Sequence, residues 1–163
     1  MQDNWVDFKA VKGSMSGRIV IPIHNQHGQL VAYAGRAIDG SEPRYKLPAG
    51  FHKSLELFNL HRVTGPEVVL VEGFFDCMKV HQAGFPTVAL MGSSLSEAQE
   101  GRLVAKFERI VVMLDSDEAG RRATNECLTR LADRVWVRAT MIAEGKQPDQ
   151  LTSDELPQIL KSL

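Results

Sequence analysis

The chain has 163 residues, 44% of them hydrophobic, and carries 19 Lys and Arg against 20 Asp and Glu. A chain of this length and composition can bury one hydrophobic core without disulfides or structural metals. Its longest apolar runs have the length of a strand, and its N-terminus lacks the pattern of a signal peptide, so we expect no membrane partner. Cys77 and Cys127 fall in helix-like segments, as is typical of reduced thiols, and we predict a soluble cytoplasmic protein.

The charges are unevenly distributed along the chain. Residues 1–65 contain eight Lys and Arg against five Asp and Glu, whereas residues 66–163 contain eleven against fifteen. A basic segment beside an acidic one is expected for a phosphate-binding surface next to a metal site. Ordinary scatter of surface charge explains the difference equally well.

The N-terminal part of the chain has the pattern of a hairpin and a loop. The first 17 residues have no strong period, and two β-rich runs at residues 19–23 and 30–34 follow, joined by the turn sequence NQHG. The next stretch, DGSEPRYKLPAGFHKS, has the Gly and Pro content of a loop, and LELFNLHRV predicts a short helix or turn. We therefore predict a small α+β subdomain over residues 1–65.

From residue 66 onward, apolar strands alternate with helices. Ser96, with Gln99 three residues later, has the pattern of a capping box at the start of a helix that runs to about residue 107. The other predicted elements are strands at 68–71, 87–91, 110–114 and 135–137, and helices at 74–83, 118–131 and near the C-terminus. Apolar strand runs separated by helices predict a parallel sheet of about four strands covered on both faces, an α/β domain over residues 66–163.

Acidic residues directly follow two of the predicted strands. Glu72 follows the first strand in VVLVEGFFD, and Asp115 and Asp117 follow the third in IVVMLDSDEAG. The carboxyl ends of parallel strands form the binding crevice of an open sheet, so these carboxylates meet if the two strands are neighbours. Asp76 lies one helical turn beyond Glu72 and faces the same side. Because oxygen-only ligands suit Mg²⁺ or Mn²⁺, the pattern predicts a site for one of these ions.

A structural role is the alternative for each acidic motif taken alone. An acid after a strand is common, and Asp117 could simply cap the helix that begins at Glu118. The coincidence of two such motifs at matching strand ends favours the metal site.

The motif VEGFFD, followed later by DSDEAG, resembles the Toprim domain, the metal-binding fold shared by bacterial primases, topoisomerases and some nucleases. The segments GRIVIPIHNQHGQLVAYAGRAI, PRYKLP and FHKSLELFNLHRV resemble the part that precedes Toprim in bacterial replicative DNA primases. Later, VALMGSSLSEAQ and EGKQPDQL resemble further primase motifs, so the resemblance spans about residues 18–152. It implies a Toprim, Rossmann-like sheet and the catalytic core of a primase.

Carried over position by position, the resemblance implies a set of site residues. Metal binding and catalysis would both involve Glu72, Asp115 and Asp117, with Asp76 added for catalysis and Asp149 for metal binding. Template and nucleotide binding would involve Arg36, Arg44, Lys46, Lys53 and Arg122.

The implied activity is Mg²⁺- or Mn²⁺-dependent nucleotidyl transfer that makes RNA primers. The implied partners are single-stranded DNA template and ribonucleoside triphosphates, with a replicative helicase or a separate zinc-binding module as further candidates. The five histidines and two cysteines have no zinc-site spacing, so no zinc is expected in this chain.

One departure from the primase pattern concerns the proposed metal site. Primases have Asp-Pro-Asp where this chain has Gln147, Pro148 and Asp149, so one carboxylate is replaced by a neutral amide and a second metal site is weakened.

Three other functions compete with primer synthesis. A topoisomerase would need an attacking tyrosine, and Tyr33 in a predicted strand and Tyr45 in the basic loop are poor candidates. A Toprim nuclease would use the same acids on water, although the primase-like N-terminal segment argues against it. A non-catalytic nucleic-acid-binding or accessory protein of replication or a mobile element remains open, although Glu72 and Asp115 are both retained.

Overall fold

A computed structural model of the chain describes residue 13, residues 15–143 and residues 145–160. Most of the irregular lead-in predicted for the first 17 residues lies outside the described residues. An antiparallel sheet contains β1 (Arg18–His24), β2 (Leu30–Ala37) and β3 (Tyr45–Lys46). A parallel sheet contains β4 (Glu67–Val71), β5 (Thr87–Ala89), β6 (Arg109–Val112) and β7 (Trp136–Ala139). The helices are α1 (Phe74–Gln82), α2 (Glu97–Lys106), α3 (Glu118–Leu131) and α4 (Glu155–Leu160).

The predicted N-terminal hairpin is confirmed and is closed by an asparagine turn. The side-chain oxygen of Asn25 accepts hydrogen bonds from the backbone N–H groups of His27 and Gln29 at 3.0 and 3.1 Å. Gly28 has a φ of +76°, a left-handed conformation that glycine adopts without steric cost. These contacts set the register in which Ile21 pairs with Ala34.

The basic segment after the hairpin is not a continuous loop, because β3 interrupts it. Tyr45 pairs with Arg36 across β2 and β3, and the Arg36 guanidinium lies 4.9 Å from the centre of the Tyr45 ring. A cation over an aromatic face is attracted by the ring quadrupole, which stabilises this short pairing. The Gly and Pro content of the segment gave no signal for a strand of two residues.

The parallel sheet has the strand order β5–β4–β6–β7, so the two strands that precede the acidic motifs are neighbours. Val69 of β4 pairs with Val111 of β6 in parallel register. The predicted parallel sheet of about four strands is therefore confirmed. The helix or turn predicted over LELFNLHRV, residues 55–63, contains the 3₁₀ turn Leu60–Arg62, and a second 3₁₀ turn, Lys53–Leu55, ends at its first residue. Between the two turns Phe58 bridges to Ala89 at the sheet edge.

Both faces of the parallel sheet are buried, as its apolar strands predict. Val68, Leu70 and Val112 pack on one side with residues of α2 and α3. Val69, Val71 and Val111 pack on the other with α1, α4 and the inner face of β1 and β2. Each fully buried side chain of this size contributes roughly 1.5–3 kcal/mol. The core that contains Val69, Val71 and Val111 includes residues from both predicted subdomains, 1–65 and 66–163. The division of the chain into these two subdomains stays a prediction.

The start of α2 has the predicted capping box. The Ser96 hydroxyl accepts the Gln99 backbone N–H at 3.0 Å, and the Gln99 side-chain oxygen accepts the Ser96 N–H at 3.1 Å. The Gln99 amide nitrogen also donates to the carbonyl oxygens of Glu56 and Leu90 at 2.8 and 2.9 Å. The cap therefore fixes α2 against the segment that carries Lys53.

Ser96→Ala is expected to destabilise the fold by about 1 kcal/mol, since it leaves a helix N–H without its acceptor. Urea unfolding followed by circular dichroism measures the change. Ser94→Ala, on an exposed residue of the same loop, serves as the control and is expected to stay within about 0.5 kcal/mol of the parent chain. Equal midpoints for both variants would contradict the role of the cap.

In the part of the chain that the structure describes, every helix is too short or too polar to cross a bilayer.

Candidate active site

Glu72 lies at the carboxyl end of β4, beside the acids that follow β6. Burial, and then the negative charges of Asp115, Asp117 and Asp76, raise the pKa of Glu72 to about 7. A like charge disfavours the ionised form only when it is close, so these four acids share one electrostatic environment. The structure thus brings together the carboxylates that the two sequence motifs supplied.

Asp76 joins two loops of the site through its two carboxylate oxygens. One oxygen accepts the Gly73 backbone N–H and the other accepts the Asp149 backbone N–H, both at 3.0 Å. The residue is only 8% exposed, and burial together with Asp115 and Asp149 raises its pKa to about 6. Asp76 therefore ties the turn between β4 and α1 to the 3₁₀ turn Pro148–Gln150.

The Asp76 carboxylate approaches the backbone closely at Gly73. The φ of Gly73, −110°, lies in the extended region that any residue adopts. A Cβ at this position would stand 2.7 Å from a carboxylate oxygen of Asp76. The absence of a side chain at Gly73 allows the Asp76 carboxylate to approach the backbone.

Asp115 is held by an amide from a distant loop. The side-chain nitrogen of Gln147 donates to Oδ2 of Asp115 at 2.7 Å. Oδ1 of Asp115 is buried and has no hydrogen-bond partner among the described residues. Burial raises the pKa of Asp115; the Gln147 bond acts against this shift, and the charges of Asp117 and Asp149 add to it. One side of the carboxylate is thus satisfied by the protein and the other is not.

Asp117 caps α3, as the structural alternative predicted. Its Oδ1 accepts the Gly120 backbone N–H at 2.7 Å. Gly120 in turn packs against the preceding loop, because a Cβ at this position would lie 2.0 Å from the Asp115 carbonyl oxygen. Capping uses one carboxylate oxygen of Asp117 and leaves Oδ2 for another partner.

Asp149, the last acid implied for metal binding, lies against the same cluster. Its charge raises the pKa of Asp76 and Asp115, although burial is the larger cause for both. Oδ1 of Asp149 is buried without a hydrogen-bond partner in the part of the chain described. The site therefore contains two buried carboxylate oxygens, on Asp115 and Asp149, that the described residues leave unpaired.

Two of the five predicted basic residues, Lys53 and Arg44, lie at the acids, and a third, Arg36, lies against two aromatic rings. The charge of Lys53 lowers the pKa of Glu72, against the larger effects of burial and the neighbouring acids. The charge of Arg44 lowers the pKa of Asp115, against the larger effect of burial. Arg36 is placed by its stacking on Tyr45 and by Phe75, whose ring centre is 5.5 Å from the guanidinium.

The other two predicted basic residues have no such contact with the acids. Arg122 forms an i,i+4 ion pair with Glu118 on the exposed side of α3. Lys46 is half-buried in β3. Among the described residues, no hydrogen bond or ion pair joins it to the carboxylates. Their roles in binding nucleic acid stay predictions.

The residues fit an open site for Mg²⁺ or Mn²⁺ better than a closed cage. Across the described ranges, no three His, Cys, Asp or Glu side chains form a ready metal cage. Mg²⁺ is usually bound by one or two carboxylates together with waters and substrate phosphates. The unpaired oxygens of Asp115 and Asp149, beside the half-buried Glu72, supply ligands of this kind. A carboxylate oxygen buried without a partner is costly, and a cation would remove that cost.

Sequence reasoning missed two features of the site. Gln147 was interpreted only as the loss of an acid, whereas its amide binds Asp115 across 32 residues of sequence. Phe75 was not singled out, although it flanks Arg36. Gln147 and Gln150 have the spacing of a capping box, and one of its two bonds is formed, because the Gln150 side-chain oxygen accepts the Gln147 backbone N–H. This spacing could have indicated that Gln147 is fixed.

Two known protein families together match almost the whole chain. Residues 69–152 match the family described as Toprim-like. Residues 7–64 match the family described as DNA primase catalytic core, N-terminal domain. The two matches follow each other along the chain in the order that the sequence motifs indicated.

Among curated relatives, the DNA primase of Thermotoga maritima is 36% identical over 157 residues, which cover 90% of this chain and 28% of that protein. The chain therefore spans about a quarter of the length of the curated relatives it matches.

Solved structures share the fold. The Aquifex aeolicus primase, comprising zinc-binding and RNA polymerase domains, is similar with a TM-score of 0.79 and 27% identity, over 98% of this chain and 44% of that one. A DnaG primase catalytic domain bound to single-stranded DNA shares the fold with a TM-score of 0.77 and 23% identity, over 90% of this chain and 51% of that one. The predicted α/β fold and the resemblance drawn from the motifs are confirmed.

Proposed function

The chain belongs to the Toprim-like family, and we propose that it forms the catalytic centre of a DNA primase, a nucleotidyltransferase that makes RNA primers on single-stranded DNA. The observation that carries this proposal is the meeting of Glu72 and Asp115 at the carboxyl ends of two neighbouring strands, with Lys53 beside them. A cluster of acids next to a cation is the arrangement that a phosphoryl-group reaction needs.

The proposed roles of the acids follow from what each carboxylate already contacts. Glu72, Asp115, Asp117 and Asp149 would hold the cation through oxygens that the protein leaves available. Asp76, with both oxygens bonded to backbone N–H groups, would position the loops that carry them. When bound, Mg²⁺ or Mn²⁺ lowers the pKa of an attacking hydroxyl and offsets charge on the reacting phosphate.

The basic residues would hold the phosphates of template and nucleotide. Lys53 and Arg44 stand at the acids, where the negative potential would otherwise repel a triphosphate. Phosphate contacts position a nucleic acid without reading its sequence, as a primase requires. Stacking on two rings keeps the Arg36 guanidinium in place.

The competing functions receive less support. The match of residues 7–64 to the primase core supports primer synthesis over a Toprim nuclease. The presence of Glu72 and Asp115 in one cluster supports catalysis over an accessory role. A replicative helicase or a separate zinc-binding module as partner, and a cytoplasmic location, stay predictions.

Binding of Mn²⁺ and template-dependent incorporation of ribonucleotides test the proposal together. Paramagnetic broadening on Mn²⁺ addition is expected to begin at the backbone amides of Glu72, Asp115 and Asp117, and to be lost in Glu72→Gln. Incorporation of labelled ribonucleotides on a single-stranded template is then expected to require the same ion. If millimolar Mn²⁺ leaves these amides sharp, the proposed centre is wrong and an accessory role is favoured.

Lys53→Gln is expected to weaken binding of single-stranded DNA by removing one phosphate contact. The slope of log affinity against log salt should fall by about 0.7, the value per contact for single strands. Fluorescence anisotropy at several salt concentrations measures the slope. Lys79→Gln removes the same charge from the last turn of α1 and should leave the slope unchanged. Equal slopes for Lys53→Gln and the parent chain would remove Lys53 from the proposed groove.

A further inference from the structure

The Gln147 amide takes a place beside Asp115 that a cation could otherwise occupy. We propose that this centre binds a single divalent cation and that Gln147 is a positioning residue, an inference that rests on the proposed function. The Gln147 amide lies where a second cation would bind Asp115. Gln147 would act through Asp115, without touching the substrate.

Oδ2 of Asp115 is already occupied by the Gln147 amide. The Gln147 nitrogen lies 2.7 Å from Oδ2 of Asp115, a short hydrogen bond to a carboxylate. A second cation on this side would have to displace the amide from Oδ2. Because the amide is neutral, it satisfies Oδ2 without adding a negative charge to a cluster that is already strongly acidic.

Hydrogen bonds on both sides hold Gln147 in place. Its backbone N–H donates to the side-chain oxygen of Gln150 at 2.9 Å. On the preceding residue, the Lys146 carbonyl accepts the Ser116 hydroxyl at 2.9 Å, next to Asp115 itself. The amide is therefore held at Asp115 by bonds on both sides and is already in place before any cation arrives.

Hydrogen bonds already occupy several carboxylate oxygens of the cluster. Both oxygens of Asp76 accept backbone N–H groups, and Oδ1 of Asp117 caps α3. The buried oxygens left without a hydrogen-bond partner in the described part of the cluster are Oδ1 of Asp115 and Oδ1 of Asp149. Together with Glu72 and Oδ2 of Asp117 they provide ligands for one cation, with waters or phosphate oxygens completing its shell.

The experiment is a Mn²⁺ titration of the whole chain, with the free ion measured by electron paramagnetic resonance. The parent chain is expected to bind one Mn²⁺. Gln147→Glu replaces the amide with a carboxylate and is expected to bind two. Gln147→Leu keeps one site, with affinity lowered about tenfold or more, as is typical when a partner that orients a ligand is lost.

Two further variants separate the role of the amide from general effects. Gln82→Glu adds the same charge to an exposed side chain at the C-terminal end of α1 and is expected to keep one site with the parent affinity. Gln147→Asn retains an amide and is expected to recover part of the affinity lost in Gln147→Leu. Circular dichroism of each variant establishes that the fold is retained.

The outcomes distinguish this inference from the function on which it rests. Two Mn²⁺ ions in the parent chain, or one in Gln147→Glu, would overturn the single-cation assignment and leave the proposed centre standing. Unchanged affinity in Gln147→Leu would overturn the positioning role. No Mn²⁺ bound to the parent chain would overturn both the inference and the proposed centre.

Discussion

Glu72→Gln is expected to abolish primer synthesis and, at the same time, to raise the melting temperature of the metal-free protein. Burial and the charges of Asp115, Asp117 and Asp76 raise the pKa of Glu72 to about 7, so its ionised form is disfavoured without a cation. A neutral amide of the same shape removes that repulsion. Glu72 is half-exposed, so solvent screening reduces the gain, and a rise of roughly 2–4 °C is expected, about 1 kcal/mol for a chain of this size.

The loss of activity in Glu72→Gln should be large, at least about 100-fold, as when one charge-stabilising group is removed from an active site. Primer synthesis and thermal melting, each with and without Mg²⁺, measure the two effects. Glu108→Gln makes the same chemical change in an exposed loop and should alter neither. A metal-free Glu72→Gln protein that melts below the parent, or that retains activity, would contradict the proposed role.

The same repulsion gives the metal-free parent chain a characteristic pH dependence. Because the pKa of Glu72 is about 7 in the folded state, against the ordinary glutamate value of 4.5, the folded state binds more protons between these values. The stability of the fold therefore falls as the pH rises through this window. Asp76, with a pKa of about 6, adds to this loss of stability in the lower part of the same pH window. Melting temperatures at pH 5 and 8 should differ less in Glu72→Gln than in the parent chain.

Gly120→Ala is expected to damage both stability and activity, although it adds only a methyl group. The new Cβ would stand 2.0 Å from the Asp115 carbonyl oxygen, so the first turn of α3 and the acid-bearing loop must separate. Overpacking of this kind destabilises by roughly 1–3 kcal/mol. Because the loop carries Asp115 and Asp117, a displacement of about 1 Å would lower the rate of primer synthesis about 100-fold.

Gly101→Ala is the matched control for Gly120→Ala. Gly101 lies within α2, and a Cβ there would have nothing within 4 Å. Alanine is the better helix former, so this variant should be more stable than the parent by up to about 1 kcal/mol, with unchanged activity. Denaturant unfolding and initial rates of primer synthesis compare the two. If Gly120→Ala matched the parent in both stability and rate of primer synthesis, the close approach of α3 to Asp115 would not matter for the site.

The positions of the acids illustrate how far local sequence could lead. Apolar runs that end at Glu72 and Asp115 placed both carboxylates at strand ends, because strand burial leaves a strong local pattern. Only the strand order β5–β4–β6–β7 showed that they meet. Strand order depends on packing between segments that are distant in sequence, and no local pattern encodes it.

The helix cap and the contacts of the site show the same difference between local signals and long-range contacts. Ser96 and Gln99 predicted the start of α2 because a capping box is formed by residues three apart. The contacts that set the chemistry of the site are long-range: Gln147 on Asp115 and Asp149 on Asp76 join residues 32 and 73 positions apart. The sequence by itself therefore determined the elements, the acids and the family resemblance. The tertiary structure decided which oxygens of those acids are already bonded and which remain for a cation, because that depends on loops brought together only by folding.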